Sequence, residues 1–98
     1  MAGIQLTTTK SELNENLGDP GEGQFWFPSD LARDRSLPVE SLVLLMNLMS
    51  YEDNSTRSIG EIAEEIGASP NTVREHLKVL EDRGHLTYTP NSATGESK

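Results

Sequence analysis

The sequence predicts a mainly α-helical domain, a three-helix core carrying a small β-hairpin. Three observations point there. Residues 38–51 are apolar with a helical period. Two capped helices follow, with only Gly67 and Ala68 between the first and the cap of the second. Residues 85–89 then alternate polar and apolar before a turn-rich stretch. The chain has 98 residues, one small domain plus tails, and its 34% hydrophobic share is low enough that part of it is expected outside any core.

Residues 1–24 read as a flexible tail and residues 25–98 as the domain. Thr7-Thr8-Thr9-Lys10-Ser11-Glu12 and Leu17-Gly18-Asp19-Pro20-Gly21-Glu22-Gly23 are polar or glycine-rich and have no sustained apolar period. Order begins at Phe25-Trp26-Phe27, stopped by Pro28. Three adjacent aromatics are costly to leave in water, so they read as a short strand or extended anchor packed on the domain. Ser29-Asp30-Leu31-Ala32 then starts a short helical turn.

The first long helix is expected over residues 38–51. Ser36 lies near its start, and Pro38 suits the first turn, where a missing N–H costs nothing. At about 100° per residue, Val39, Leu42, Val43, Leu45, Met46 and Met49 share one broad face. Leu44 and Leu48 fall on the other side, next to Tyr51. A helix apolar on two sides must be covered twice. The rest of the domain is one cover. The other is the aromatic anchor, the first choice, or a second copy of the chain, which makes Leu44, Leu48 and Tyr51 a candidate dimer interface.

Beyond the polar connection at 52–56, Ser58-Ile59-Gly60-Glu61 has the S-x-x-E form of a capping box. Its helix turns Ile59, Ile62, Ala63 and Ile66 inward and Glu61, Glu64 and Glu65 outward, and stops at Gly67. Ser69 caps the next helix, Pro70 occupies its first turn, and Val73, Leu77 and Leu80 form its inward stripe up to Arg83 and Gly84. Helices joined that tightly cross steeply, as a helix-turn-helix. Residues 85–89 then read as a strand, Pro90-Asn91-Ser92-Ala93-Thr94-Gly95 as a hairpin tip, and Glu96-Ser97-Lys98 as the stub of a returning strand, so the hairpin is expected to be cut short.

Composition excludes several chemistries. Without cysteine there is no disulfide scaffold, no Cys-type zinc finger and no thiol catalysis, and a reducing cytoplasm suits the chain. The longest apolar stretch, 42–49, is far short of the roughly 20 residues that span a bilayer. The N-terminus has no basic start or apolar segment of an export signal. His76 and His85 lack ligand spacing, so no metal is expected, and His76, at the edge of the apolar stripe, reads as a packing or capping residue. Nothing places Ser, His and Asp as a triad, and there is no glycine-rich elbow. No catalytic residue, enzyme activity, cofactor or small-molecule substrate is therefore expected.

The order helix, polar connection, helix, tight turn, helix, strand and hairpin tip resembles the winged helix-turn-helix fold, carried by Ser58-Ile59-Gly60-Glu61 through Gly67-Ala68-Ser69-Pro70-Asn71-Thr72 to Arg83-Gly84-His85-Leu86. Residues 69–84 are similar to the recognition helix of bacterial and archaeal repressors of the ArsR and MarR types. Phe25-Trp26-Phe27-Pro28-Ser29-Asp30-Leu31 with the apolar helix after it looks like the helix-turn-helix modules at the front of phage and plasmid replication initiators. The resemblance implies a recognition helix entering the major groove of double-stranded DNA by its N-terminal end, and a wing touching the flanking backbone. Carried over, Ser69, Asn71, Thr72, Arg74 and Lys78 face DNA. Asn71 suits adenine and Arg74 guanine, Glu75 accepts from cytosine N4, and Thr72 and Lys78 reach phosphates. Ser58 with its helix start, and Arg57 just before it, add backbone contacts, as do Ser92, Thr94 and Lys98 in the wing. The biology implied is a small cytoplasmic transcriptional regulator, or the DNA-binding module of a phage or plasmid replication factor. Either would act as a homodimer and join the nucleoid when bound.

Charge runs against this. Sixteen acids and 8 bases give −8, whereas a chain that seeks nucleic acid by bulk electrostatics is basic. The outward residues of the last helix are Asn71, Glu75, Lys78 and Asp82, and residues 69–83 carry no net charge. A second reading is therefore a protein-interaction module that docks a basic partner on Glu61, Glu64, Glu65, Glu75 and Asp82 without touching DNA. A third is adaptation to high salt, where acidic surfaces are routine.

Overall fold

The computed structural model describes residues 3–51 and 57–89. In chain order these form β1 (Gly3–Leu6), α1 (Lys10–Leu17), α2 (Ser29–Ala32), α3 (Val39–Met49), α4 (Ile59–Ile66), α5 (Pro70–Asp82) and β2 (Leu86–Thr89). Helices α3, α4 and α5 pack on one another around Leu44, Leu45, Met49, Ile62, Val73, Leu77 and Leu80, and β2 lies along α5. Five helices and one two-stranded antiparallel sheet among the described residues make this a winged helix-turn-helix architecture. None of these helices is long and apolar enough to cross a membrane.

The turn between α4 and α5 forms for local reasons. Gly67 takes the left-handed conformation, with φ of 73°, and Ala68 N–H reaches back to the Ala63 carbonyl at 2.9 Å. Glycine at this position avoids the Cβ clash, and the six-residue hydrogen bond closes the helix end. The end of α5 repeats the device: Gly84 has φ of 81°, and His85 N–H donates to the Leu80 carbonyl at 2.9 Å.

Helix α3 is rotated from its expected orientation. Its buried stripe is Ser41, Leu44, Leu45, Leu48 and Met49, whereas Val39 is 73% and Val43 39% exposed. Leu44 and Leu48 therefore do not form a dimer interface; both lie in the core of a single chain. A helix apolar on both sides offers two nearly equal stripes, and contact with the other core helices decides between them. The expected start at Pro38 falls one residue later, at Val39, with Pro38 as N-cap.

The N-terminal residues also differ from expectation. The sequence reading gave no element before residue 25; the structure has β1 and α1 there. β1 pairs antiparallel with β2 in the register Gly3–Thr89, Ile4–Tyr88, Gln5–Thr87 and Leu6–Leu86. Ile4, Leu6 and Leu13 pack on the core, and the Lys10 ammonium donates to the Ser50 carbonyl at 3.4 Å. Thr9 caps α1, accepting from Glu12 N–H. The aromatic segment is an anchor as expected, with Phe25 and Phe27 packed on the core and Trp26 Nε1 donating to the Gly18 carbonyl at 2.7 Å. The expected strand at 85–89 is present as β2, and its partner among the described residues is β1. The expected hairpin tip and return strand, at residues 90–98, lie outside the described residues.

Candidate nucleic-acid interface

The two helices of the helix-turn-helix each have a serine-capped N-terminus, at Ser58 and Ser69, and the chemistry of the two differs. At the start of α5, Ser69 accepts from Thr72 N–H at 3.2 Å, and the Ser69 and Thr72 hydroxyls are 3.0 Å apart. Pro70 stands in the first turn, which contains no acid. The helix therefore presents hydroxyls, an amide and the positive end of its dipole. One turn on, the Arg74 guanidinium donates to Asn71 Oδ1 at 2.9 Å. An amide oxygen has a second lone pair, so Asn71 keeps both an acceptor site and its NH2 group for another partner. Asn71, Glu75, Lys78 and Asp82 are exposed on the outer face, and Lys78 makes no ion pair among the described residues.

Helix α5 is held from behind. His76 Nδ1 lies 2.7 Å from the hydroxyl of fully buried Ser41 on α3. That agrees with the packing role expected for His76. Arg83 grips the segment before α3, donating to the Ser36 hydroxyl at 2.6 Å and its carbonyl at 3.0 Å. Ser36 in turn donates to Asp34 through its hydroxyl and its N–H. Those two bonds, with the nearby charges of Arg83 and His85, hold the Asp34 carboxyl below the usual carboxylate range. Sequence reasoning missed both ties, since the partners of His76 and Arg83 are 35 and 47 residues away.

The start of α4 is closed by its own acid. The Glu61 carboxylate accepts from Ser58 N–H at 2.8 Å, while Ser58 Oγ accepts from Glu61 N–H at 3.1 Å. A phosphate was expected at Ser58; the capping box disfavours it, because the Ser58 and Glu61 N–H groups are both taken and the Glu61 carboxylate sets a negative charge at this helix start.

Arg57 is likewise withdrawn. Its guanidinium lies 3.5 Å from the centre of the Tyr51 ring and donates to Asn47 Oδ1 at 2.8 Å and to Glu65 Oε1 at 2.7 Å, with its side chain 12% exposed. Asn47 and Tyr51 also donate to Glu65, at 3.0 and 2.7 Å. Those two bonds, then the Arg57 charge, hold Glu65 below the usual carboxylate range, and the same bond from Tyr51 raises the tyrosine. Arg57 was expected to meet DNA; instead it ties the C-terminal end of α3 to α4. Tyr51, expected at a dimer interface, is part of that tie.

Of the expected site residues, the structure thus gathers Ser69, Asn71, Thr72, Arg74, Glu75 and Lys78 on one helix, and sets Ser58 and Arg57 apart in other roles. Ser92, Thr94 and Lys98 lie outside the described residues. No three His, Asp or Glu side chains cluster as metal ligands among the described residues. A family model described as a helix-turn-helix domain matches residues 35–86, which is 52 of the 98 residues. No curated protein matches the chain, and no solved structure does.

Proposed function

The chain belongs to this helix-turn-helix domain family, and from that premise we propose that it binds double-stranded DNA sequence-specifically with α5 in the major groove. The observation that carries the proposal is the N-terminal end of α5, which offers Ser69, Asn71 and Thr72 with no acid in the first turn. In this reading Asn71 pairs with adenine and Arg74 with guanine, Glu75 accepts from a cytosine amine, and Ser69, Thr72 and Lys78 hold phosphates. Action is by occupancy: a homodimer covers two half-sites about one helical turn apart. A second copy also doubles a footprint that is thin for a chain of net charge −8. The role is that of a small transcriptional regulator or of the DNA-binding module of a phage or plasmid replication factor, working in the cytoplasm.

The test is fluorescence anisotropy on a pool of random duplexes from low to physiological salt. The expected result is an affinity whose logarithm falls linearly with the logarithm of salt, with a slope of a few released ions. Absence of binding at the lowest salt overturns the proposal. That outcome favours a basic protein partner instead, a reading supported by the exposed Glu61, Glu64, Glu75 and Asp82, and binding of a polylysine peptide then measures it.

A further inference from the structure

The two-stranded sheet has two outer edges, and they are not alike. Thr7 N–H donates to the His85 carbonyl at 3.0 Å, extending the β1–β2 register by one pair. In an antiparallel ladder, inward and outward residues alternate, so Gly3, Gln5 and Thr7 point their backbone groups at β2. Ile4 and Leu6 aim theirs at the far side of β1, where they meet no hydrogen-bond partner among the described residues. On the far side of β2, the Tyr88 N–H already donates to the Glu81 carboxylate at 3.3 Å. That edge is occupied by an acid; the β1 edge carries none of the usual devices that discourage pairing, neither charge, proline nor bulge.

We infer that β1 pairs with β1 of a second copy across a two-fold axis at Gln5, giving a continuous four-stranded sheet ordered β2-β1-β1-β2. The self-complementary register of β1 argues for a second copy as occupant, and the charge pattern leaves this the place where one can dock. The chain carries −8, so two copies repel over most of their surfaces, yet no charged side chain occurs before Lys10 or within residues 86–89. The sheet is where two like-charged molecules can meet without opposing charges of one sign. The register is self-complementary: Ile4 and Leu6 of one copy exchange N–H···O bonds with Leu6 and Ile4 of the other. Gln5 faces its own copy as a close, non-hydrogen-bonded pair. Four-residue strands make a small seam, well under the area of a standard stable interface, so the dimer is a concentration-dependent one that paired DNA half-sites would reinforce.

The inference rests on the dimer in the functional reading and not on the DNA contacts. Sedimentation without DNA tests the seam, and anisotropy tests the DNA reading, so either can fail alone. The chain is free of cysteine, which gives a clean probe. Gln5→Cys should oxidise to a disulfide-linked dimer, because facing Cα atoms about 4.5 Å apart fit a disulfide. Thr87→Cys, also exposed and three strand spacings (about 14 Å) from its copy, should not. Sedimentation of the wild type should show self-association between micromolar and millimolar protein, and Gln5→Lys, which sets two ammonium groups face to face, should weaken it by roughly two- to five-fold. A wild type that stays monomeric throughout, equal cross-linking of the two cysteine variants, or a dimer indifferent to Gln5→Lys would each overturn the seam.

Discussion

The starts of α4 and α5 are near twins in sequence and opposites in chemistry. Each has a serine N-cap that accepts from the N–H three residues on, and the two caps stand eleven positions apart across one tight turn. The difference is the third helical residue: Glu61 in α4, Thr72 in α5. A glutamate there reaches back, takes the cap N–H and cancels the positive end of the dipole. A threonine leaves the terminus without an acid to cancel its dipole, while the Thr72 N–H stays capped by Ser69. One side chain thus separates a helix start built for stability from one able to receive an anion, in a protein whose overall charge gives no such preference.

The largest expected effect comes from making the second start like the first. Thr72→Glu writes the same S-x-x-E box at Ser69 and puts a carboxylate where the reading puts a phosphate. Loss of one contact plus like-charge apposition should cost about 3 kcal/mol, on the order of a hundred-fold in DNA affinity. Stability should hold or rise by about 0.3–1 kcal/mol, because an acid at a helix start is favourable. Anisotropy and thermal melting on the same sample separate the two. A variant that is more stable and binds as tightly as wild type would place the phosphate contacts elsewhere.

Next in size is Arg74→Ala, expected to cost about 1–3 kcal/mol and relax preference at one base pair. Selection from a randomised duplex reads this directly. Unchanged affinity would mean that the Asn71–Arg74 pair serves only the helix surface.

How much of this contrast is legible in the sequence follows from the range of each interaction. Both caps, Gly67 and Gly84 are readable because their chemistry closes within three to five residues, so both helices and their turn stand where expected. Helix α1 had the same kind of signal in Thr9-Lys10-Ser11-Glu12 but no apolar stripe to support it. The rotation of α3 is illegible because Leu44 and Leu48 are as hydrophobic as the residues opposite, and only tertiary contact chooses. Pairing of β1 with β2 joins residues some 80 positions apart, through a four-residue alternation too short to stand out. Arg57 is misread for a related reason. Its position just before a helix suggests a phosphate contact, while Asn47, Tyr51 and Glu65 come from two other helix ends and claim it.

Smaller effects sharpen the α4 side. Ser58→Ala and Ser69→Ala should each cost about 1 kcal/mol of stability by urea denaturation, since both remove the acceptor of an N-cap bond. Only Ser69→Ala should also weaken DNA binding. Equal loss of binding in both would return Ser58 to the interface despite its cap. Glu61→Gln keeps a side chain able to complete the box but removes the charge. It should leave binding unchanged or raise it a few-fold at low salt, the gain fading as salt screens the site.

The smallest expected effect concerns the tie that holds α3 to α4. Glu65 sits below its ordinary pKa in the fold because Asn47 and Tyr51 donate to it and Arg57 adds its charge. The unfolded chain releases that proton near the usual glutamate value, about 4.3. Between the two values the unfolded state binds more protons, so stability must rise with pH there. The contribution is complete above the unfolded value and disappears as pH falls through the folded one. Tyr51 mirrors this at the alkaline end: its pKa is raised chiefly by the bond to Glu65, so the tie is intact below about 10, the unfolded tyrosine value, and lost as pH climbs through the folded one. Glu65→Gln should therefore be less stable at neutral pH, with a denaturation midpoint that changes less with pH on both the acid and the alkaline side. Midpoints that run parallel for the variant and the wild type from pH 3 to 11 would show that the tie contributes nothing measurable, and that α4 is positioned by its buried Ile59, Ile62 and Ala63 alone.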